Sequence, residues 1–180
     1  MKGIIFTEFL DMVEDYYGLA VVDEIIQKSE GVSDGVYTSV GTYEFNEILS
    51  LLVALGEVVS KDIQELLYVF GLYLFNSLRI AHPEIIRSYK KPMPLIAAIE
   101  DHIHVHVKKL YPDAALPSFL ILEKSEFKLV MVYKSARGLY SLAHGLIVSA
   151  FEHYKEEVNV QFEILKEDGS EVKFTVVSHA

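Results

Sequence analysis

Three histidines alternate in the stretch Glu100-Asp101-His102-Ile103-His104-Val105-His106-Val107. An imidazole can ligate a metal or carry a proton near neutral pH, so its spacing from other groups decides its use. On an α-helix, residues two apart are rotated by ~200°, whereas residues four apart share a face. His102 and His106 can therefore form a zinc-binding pair, completed by a carboxylate such as Glu100 or Asp101. The pattern lacks the glutamate of H-E-x-x-H and the usual third ligand. His104 points the other way and could serve as a lone functional imidazole. The plainest alternative is that all three lie on a solvated helix face.

A second group is Tyr133-Lys134-Ser135-Ala136-Arg137. In an extended segment, alternate residues share a side, which places a phenol, a hydroxyl and a guanidinium together, a set able to clamp a carboxylate through charge-assisted bonds. The same residues also read as an ordinary strand end with a serine capping the next helix.

The elements that position these groups follow from periodicity. Phe6, Phe9, Leu10, Val13, Tyr16 and Tyr17 recur at helical spacing up to Gly18, and Val21, Val22, Ile25 and Ile26 mark a second helix ending before Gly31. Tyr43 to Val59 predicts a third helix. Ser60 is the expected N-cap of a fourth from Lys61 to Ile80, which is apolar nearly all round and so should be buried. His82-Pro83 opens a short segment, and a helix from about Leu95 to Tyr111 carries the three histidines. Beyond Pro112 and Pro117 the period becomes two: Ser118 to Glu123 and Phe127 to Lys134 predict a hairpin turning at Lys124-Ser125-Glu126. A helix from Gly138 to Tyr154 follows, then a second hairpin, Val158 to Lys166 and Glu171 to Ser178, turning at Asp168-Gly169. The expected order is helices, then strand-strand-helix-strand-strand.

Composition narrows the function classes. The 180 residues suit one domain, 51% are hydrophobic, and 26 acidic against 16 basic side chains leave a net charge of −10, which argues against nucleic acid and anionic membranes as partners. With no cysteine, thiolate metal sites, covalent haem attachment and cysteine nucleophiles are excluded, and a cytoplasmic location is expected. Mean hydropathy is positive, +0.27, yet no apolar run approaches the ~20 residues of a transmembrane helix. The opening residues reach Glu8 and Asp11 before a secretory apolar region completes itself. An interior this apolar is a hint of an apolar ligand cavity.

The run Ile103-His104-Val105-His106-Val107-Lys108-Lys109-Leu110-Tyr111-Pro112, the downstream Tyr133-x-Ser135-x-Arg137 and the Met1-Lys2-Gly3-Ile4-Ile5 opening together resemble the H-NOX family of haem-nitric oxide/oxygen binding domains, similar to the haem domain of soluble guanylate cyclase. The resemblance spans essentially the whole chain. It implies an α+β fold over 1–180, with an N-terminal helical distal lobe (about 1–64) packed on a lobe (about 65–180) that carries the proximal helix and a four-stranded antiparallel sheet, and with haem b between them.

Carried over residue by residue, the resemblance implies that His104 is the proximal iron ligand and that Tyr133, Ser135 and Arg137 hold the haem propionates. Pro117 would press against the porphyrin, and Ile5, Phe9, Leu74, Leu142 and Leu146 would line the distal side. Oxygen-binding relatives carry a tyrosine where this chain has Leu142. A ligand that gathers negative charge, such as oxygen, benefits from a hydrogen-bond donor there, whereas nitric oxide and carbon monoxide bind ferrous haem without one. A helix shifted in register could still bring Tyr140 or Tyr73 into the pocket. The resemblance implies a sensor of nitric oxide, not an enzyme, that signals through weakening of the iron–His104 bond and lobe movement. Lacking kinase or cyclase sequence, it would act on a separate histidine kinase or cyclic-dinucleotide enzyme. A haem peroxidase-like enzyme, a zinc protein and a ligand-free helical interaction module are the competing readings. The first wants a distal acid–base pair that an apolar pocket cannot supply.

Overall fold

The computed structural model describes residues 1–31 and 33–179; Val32 and Ala180, both inside the expected 1–180 domain, lie outside the described residues. Four helices open the chain: α1 (Gly3–Tyr17), α2 (Leu19–Lys28), α3 (Phe45–Val59) and α4 (Ile63–Ala81). Gly18, at φ 86°, ends α1 in a conformation that an L side chain rarely adopts, and its N–H donates to the Glu14 carbonyl at 2.8 Å. Phe6, Phe9, Leu51, Leu55, Leu66 and Phe70 interlock into a helical core that extends to Leu74. The expected cap at Ser60 is corrected: Ser60 closes α3 in a left-handed conformation. Asp62 caps α4, its carboxylate accepting from the N–H groups of Gln64 and Glu65 at 2.7 and 3.4 Å. The acidic side chain two residues on can fold back over the free amides, which a serine in the left-handed region cannot do.

Short helices follow: α5 (Pro83–Arg87) and α6 (Pro92–Ala97), each with proline in its first turn, then a π-helical turn, Ile99–His104, and α7 (Val105–Leu110). The single helix expected from Leu95 to Tyr111 is therefore three pieces. Ala98 leaves the helical region, and its carbonyl accepts from both His102 and Ile103, at 3.0 and 3.2 Å, so the turn widens by a residue. No residue of the π-turn or α7 is fully buried.

The remaining elements are β1 (Ser118–Lys124), β2 (Lys128–Lys134), α8 (Tyr140–Tyr154), β3 (Glu157–Ile164) and β4 (Glu171–His179). Both hairpins and the intervening helix form as the periodicity predicts. The strands make one antiparallel sheet in the order β1-β2-β4-β3, with a bulge in β1 between Ile121 and Glu123. Leu129, Met131 and Tyr133 of β2 and Val172, Phe174 and Val176 of β4 alternate inward beneath α8. This second core starts at Phe75, so α4 serves both cores and joins them.

The α4–α8 crossing is close because Gly71 and Gly145 face each other. A Cβ on Gly145 would come within 2.1 Å of the Tyr68 carbonyl oxygen, and one on Gly71 within 2.3 Å of the Leu142 carbonyl oxygen. No helix among the described residues is long and apolar enough to cross a membrane.

Candidate haem site

His104 ends the π-turn, half-buried, with its ring 6.0 Å from that of Phe119 on β1. Nδ1 lies 3.1 Å from Glu100 Oε1, one turn earlier, and the same carboxylate oxygen accepts the Phe119 N–H at 2.9 Å. Glu100 thus ties the imidazole to the start of the sheet and fixes which nitrogen faces away. Nε2 makes no hydrogen bond among the described residues. Burial pushes the His104 pKa below its ordinary value, and the Glu100 carboxylate opposes that shift.

The flanking histidines do not converge on a shared metal. His102 Nδ1 is 2.6 Å from the Tyr89 hydroxyl, whereas His106 reaches back toward His82 and Glu84 at the α4–α5 corner. The widened turn rotates the two apart, contrary to the common face that regular helical spacing implies.

At the far end of β2, Tyr133 is almost wholly buried, its ring 5.6 Å from that of Phe119. Burial pushes the phenol pKa up, while the Ser135 hydroxyl, the Leu139 backbone and the Arg137 charge oppose that shift. Ser135 does not cap α8: its Oγ accepts the Arg137 N–H at 3.2 Å in a turn ahead of that helix. The Arg137 guanidinium donates to the Ala115 carbonyl at 2.9 Å and lies 5.3 Å from the Phe45 ring centre. No carboxylate pairs with it among the described residues, which leaves donors to spare for an anion. Pro117 stands half-buried just before β1.

Between α1, α3, α4 and the start of α8 lies a small cavity of about 20 Å³. Its lining is entirely apolar and includes Met1, Ile5, Phe9, Phe70, Leu139 and Leu142. Leu74 is outside this lining, within the helical core, and Leu146 packs against both cores. Neither tyrosine that a register shift could have introduced lines the cavity. The Tyr73 hydroxyl donates to Asp15 at 2.8 Å, and the Tyr140 ring packs 5.4 Å from Phe162 on the sheet side.

The parts suit a haem: an imidazole with an uncommitted nitrogen, an apolar wall, and a guanidinium with no carboxylate partner among the described residues. Sequence reasoning missed the tie from Glu100 to His104, although the four-residue spacing was there to be read.

The family model for haem-NO-binding proteins matches residues 2–162. Solved structures similar to the chain include the Fe(II) unliganded H-NOX protein from K. algicida, with 46% identity, a TM-score of 0.97, and coverage of 100% of this chain and 97% of that one. The S. oneidensis H-NOX protein in the Fe(II)NO ligation state is 28% identical, with a TM-score of 0.91 and full coverage of both chains. The H-NOX from Shewanella woodyi, bound to IWP-051 in the Fe(II)CO ligation state, is 35% identical, with a TM-score of 0.84 and coverage of 99% and 95%. No curated protein sequence matches. The chain belongs to the haem-NO-binding, or H-NOX, family, and its mixed helical and four-stranded antiparallel architecture is that family's fold.

Proposed function

We propose that this chain is a cytoplasmic sensor of nitric oxide and carbon monoxide that holds haem b between its helical lobe, about residues 1–64, and the lobe carrying the proximal helix and sheet, with His104 as the axial ligand. The observation that carries this reading is the His104 imidazole, whose Nδ1 is committed to Glu100 and whose Nε2 has no protein partner among the described residues. A bound ferrous haem supplies an iron with an open position for a diatomic gas. Tyr133, Ser135 and Arg137 would hold its carboxylates, and Pro117 would set a rigid edge against the ring.

Ile5, Phe9, Leu74, Leu142 and Leu146 would form the gas-facing wall. With no donor on that wall, nothing rewards a ligand that gathers negative charge, so the chain would discriminate against oxygen. The same wall offers no acid–base pair, which favours a sensor over an enzyme.

Signalling would use the segment that carries His104. No residue of the π-turn or α7 is fully buried, although Ile99 and Ile103 pack against the core, so the segment can shift at lower cost than the core helices. Glu100 would pass that shift to β1 through the Phe119 amide. The receiver would be a separate protein, such as a histidine kinase or cyclic-dinucleotide enzyme. Exposing the reduced protein to each gas tests the selectivity: the absorbance should change with nitric oxide and carbon monoxide and stay unchanged in air-saturated buffer. A stable oxygen complex would refute it.

A further inference from the structure

His106 points away from His104, toward the corner where α4 meets α5. There His82 Nδ1 and His106 Nε2 each lie 3.6 Å from Glu84 Oε1, and one ligand atom from each of the three residues falls within 4.8 Å of the others. The two imidazole rings stand nearly perpendicular, their centres 5.9 Å apart. Metal–ligand bonds of ~2.0–2.2 Å in a tetrahedron place neighbouring ligand atoms ~3.3–3.5 Å apart, so both glutamate–histidine separations are within a few tenths of an ångström of that value. His82 is fixed by its own N–H, which donates to the Leu78 carbonyl at 2.9 Å, and by Pro83, which locks the turn. Glu84 is more than half exposed and free to close the remaining distance, and solvent access leaves a fourth position for water.

We propose that His82, Glu84 and His106 form a binding site for one divalent transition-metal ion of the zinc class. Two imidazoles and a carboxylate are borderline donors of the kind zinc takes, and the chain has no thiolate to compete. The position gives the ion a structural consequence. Because no residue of α7 is fully buried, its hold on the body of the protein is weak, and an ion bridging His106 to the α4–α5 corner would pin it two residues from His104. The metal site does not depend on haem binding.

The test is isothermal titration calorimetry of zinc chloride into haem-loaded, tag-free protein after chelator treatment, comparing the wild type with His82→Gln, Glu84→Gln, His106→Gln and, as a control, His102→Gln. One zinc per chain is expected, with affinity falling roughly tenfold or more in each of the first three variants and unchanged in the control. Circular dichroism checks that the variants fold, which their partly exposed positions favour. Amide hydrogen exchange supplies a second readout: zinc should slow exchange across α7 in the wild type and not in His82→Gln, whose replacement lies on the opposite side of the bridge. Absence of binding heat, or an affinity indifferent to the three substitutions or equally sensitive to His102→Gln, would overturn the proposal.

Discussion

Glu100 Oε1 stands 3.1 Å from His104 Nδ1 while accepting the Phe119 N–H at 2.9 Å, so one carboxylate oxygen links the imidazole on the π-turn to the first pair of the sheet. Such an outer partner sets the orientation and basicity of a metal-binding histidine. Glu100→Ala should weaken haem retention by roughly 10–100-fold, and Glu100→Gln, which keeps the acceptor oxygen but not the charge, by less. Haem transfer to an excess of acceptor apoprotein measures both. Retention equal to the wild type in Glu100→Ala would show that the pairing is incidental.

Arg137 has a second prediction attached to it. Its guanidinium already touches the Ala115 carbonyl and the Phe45 ring, so Arg137→Lys keeps the charge and loses the planar fork. Haem transfer should be faster in Arg137→Lys and faster still in Arg137→Ala, with near-wild-type thermal stability in both, because the residue is half-exposed and has no carboxylate partner among the described residues.

The proposed gas-facing wall can be altered at Leu142, which lines the apolar cavity. Leu142→Tyr would add a donor there, and a hydrogen bond to a charged partner is worth roughly 1.5–3 kcal/mol. Flash photolysis and stopped-flow mixing with oxygen should detect a complex in the variant that the wild type does not form.

His144 packs among aromatic rings of α4 and the sheet and gives a pH dependence. Its ring lies 4.8 Å from that of Tyr68 on α4 and near those of Phe162 on β3 and Phe174 on β4, and burial lowers its pKa below the ordinary 6.5. The unfolded chain takes up a proton on this residue as pH falls through 6.5, before the folded chain does. Stability from this source is therefore complete above 6.5, declines as the pH falls from there toward the depressed folded value, and levels off below it. Denaturant midpoints measured between pH 7.5 and 5.5 should drop less in His144→Gln than in the wild type.

Gly145 tests the helix crossing. An added Cβ would sit 2.1 Å from the Tyr68 carbonyl oxygen, a backbone atom that can move only with α4. Gly145→Ala should cost ~1–3 kcal/mol, as overpacked cores do, read as a lower denaturant midpoint.

Periodicity carried most of the architecture. The alternation in Phe127–Lys134 and Glu171–Ser178 located β2 and β4, the central pair of the sheet, because one face of each is buried. The helical spacing in α1, α3, α4 and α8 was equally readable. What the pattern could not reveal is the break at Ala98. A π-turn costs a single displaced hydrogen bond and leaves the apolar spacing nearly intact, so Leu95 to Tyr111 reads as continuous. That break decides where the three histidines point. Ser60 misled for a similar reason: serine is a good cap by type, but its left-handed backbone at the end of α3 hands the role to Asp62. In the site, the alternation that reads Tyr133, Ser135 and Arg137 as one side of an extended segment stops at Lys134, where β2 ends, and Ser135 and Arg137 lie in the turn beyond it. The contacts of His106 with His82 and Glu84 were not legible, since more than twenty positions of chain separate the partners.

The most direct measurement is the anaerobic absorbance spectrum of the reduced, haem-reconstituted protein beside that of His104→Gly, with and without added imidazole. The wild type should show a Soret band that shifts with nitric oxide, and His104→Gly should hold haem only when imidazole fills the place of the missing side chain. A His104→Gly spectrum identical to the wild type without imidazole would contradict the assignment of His104 as the ligand.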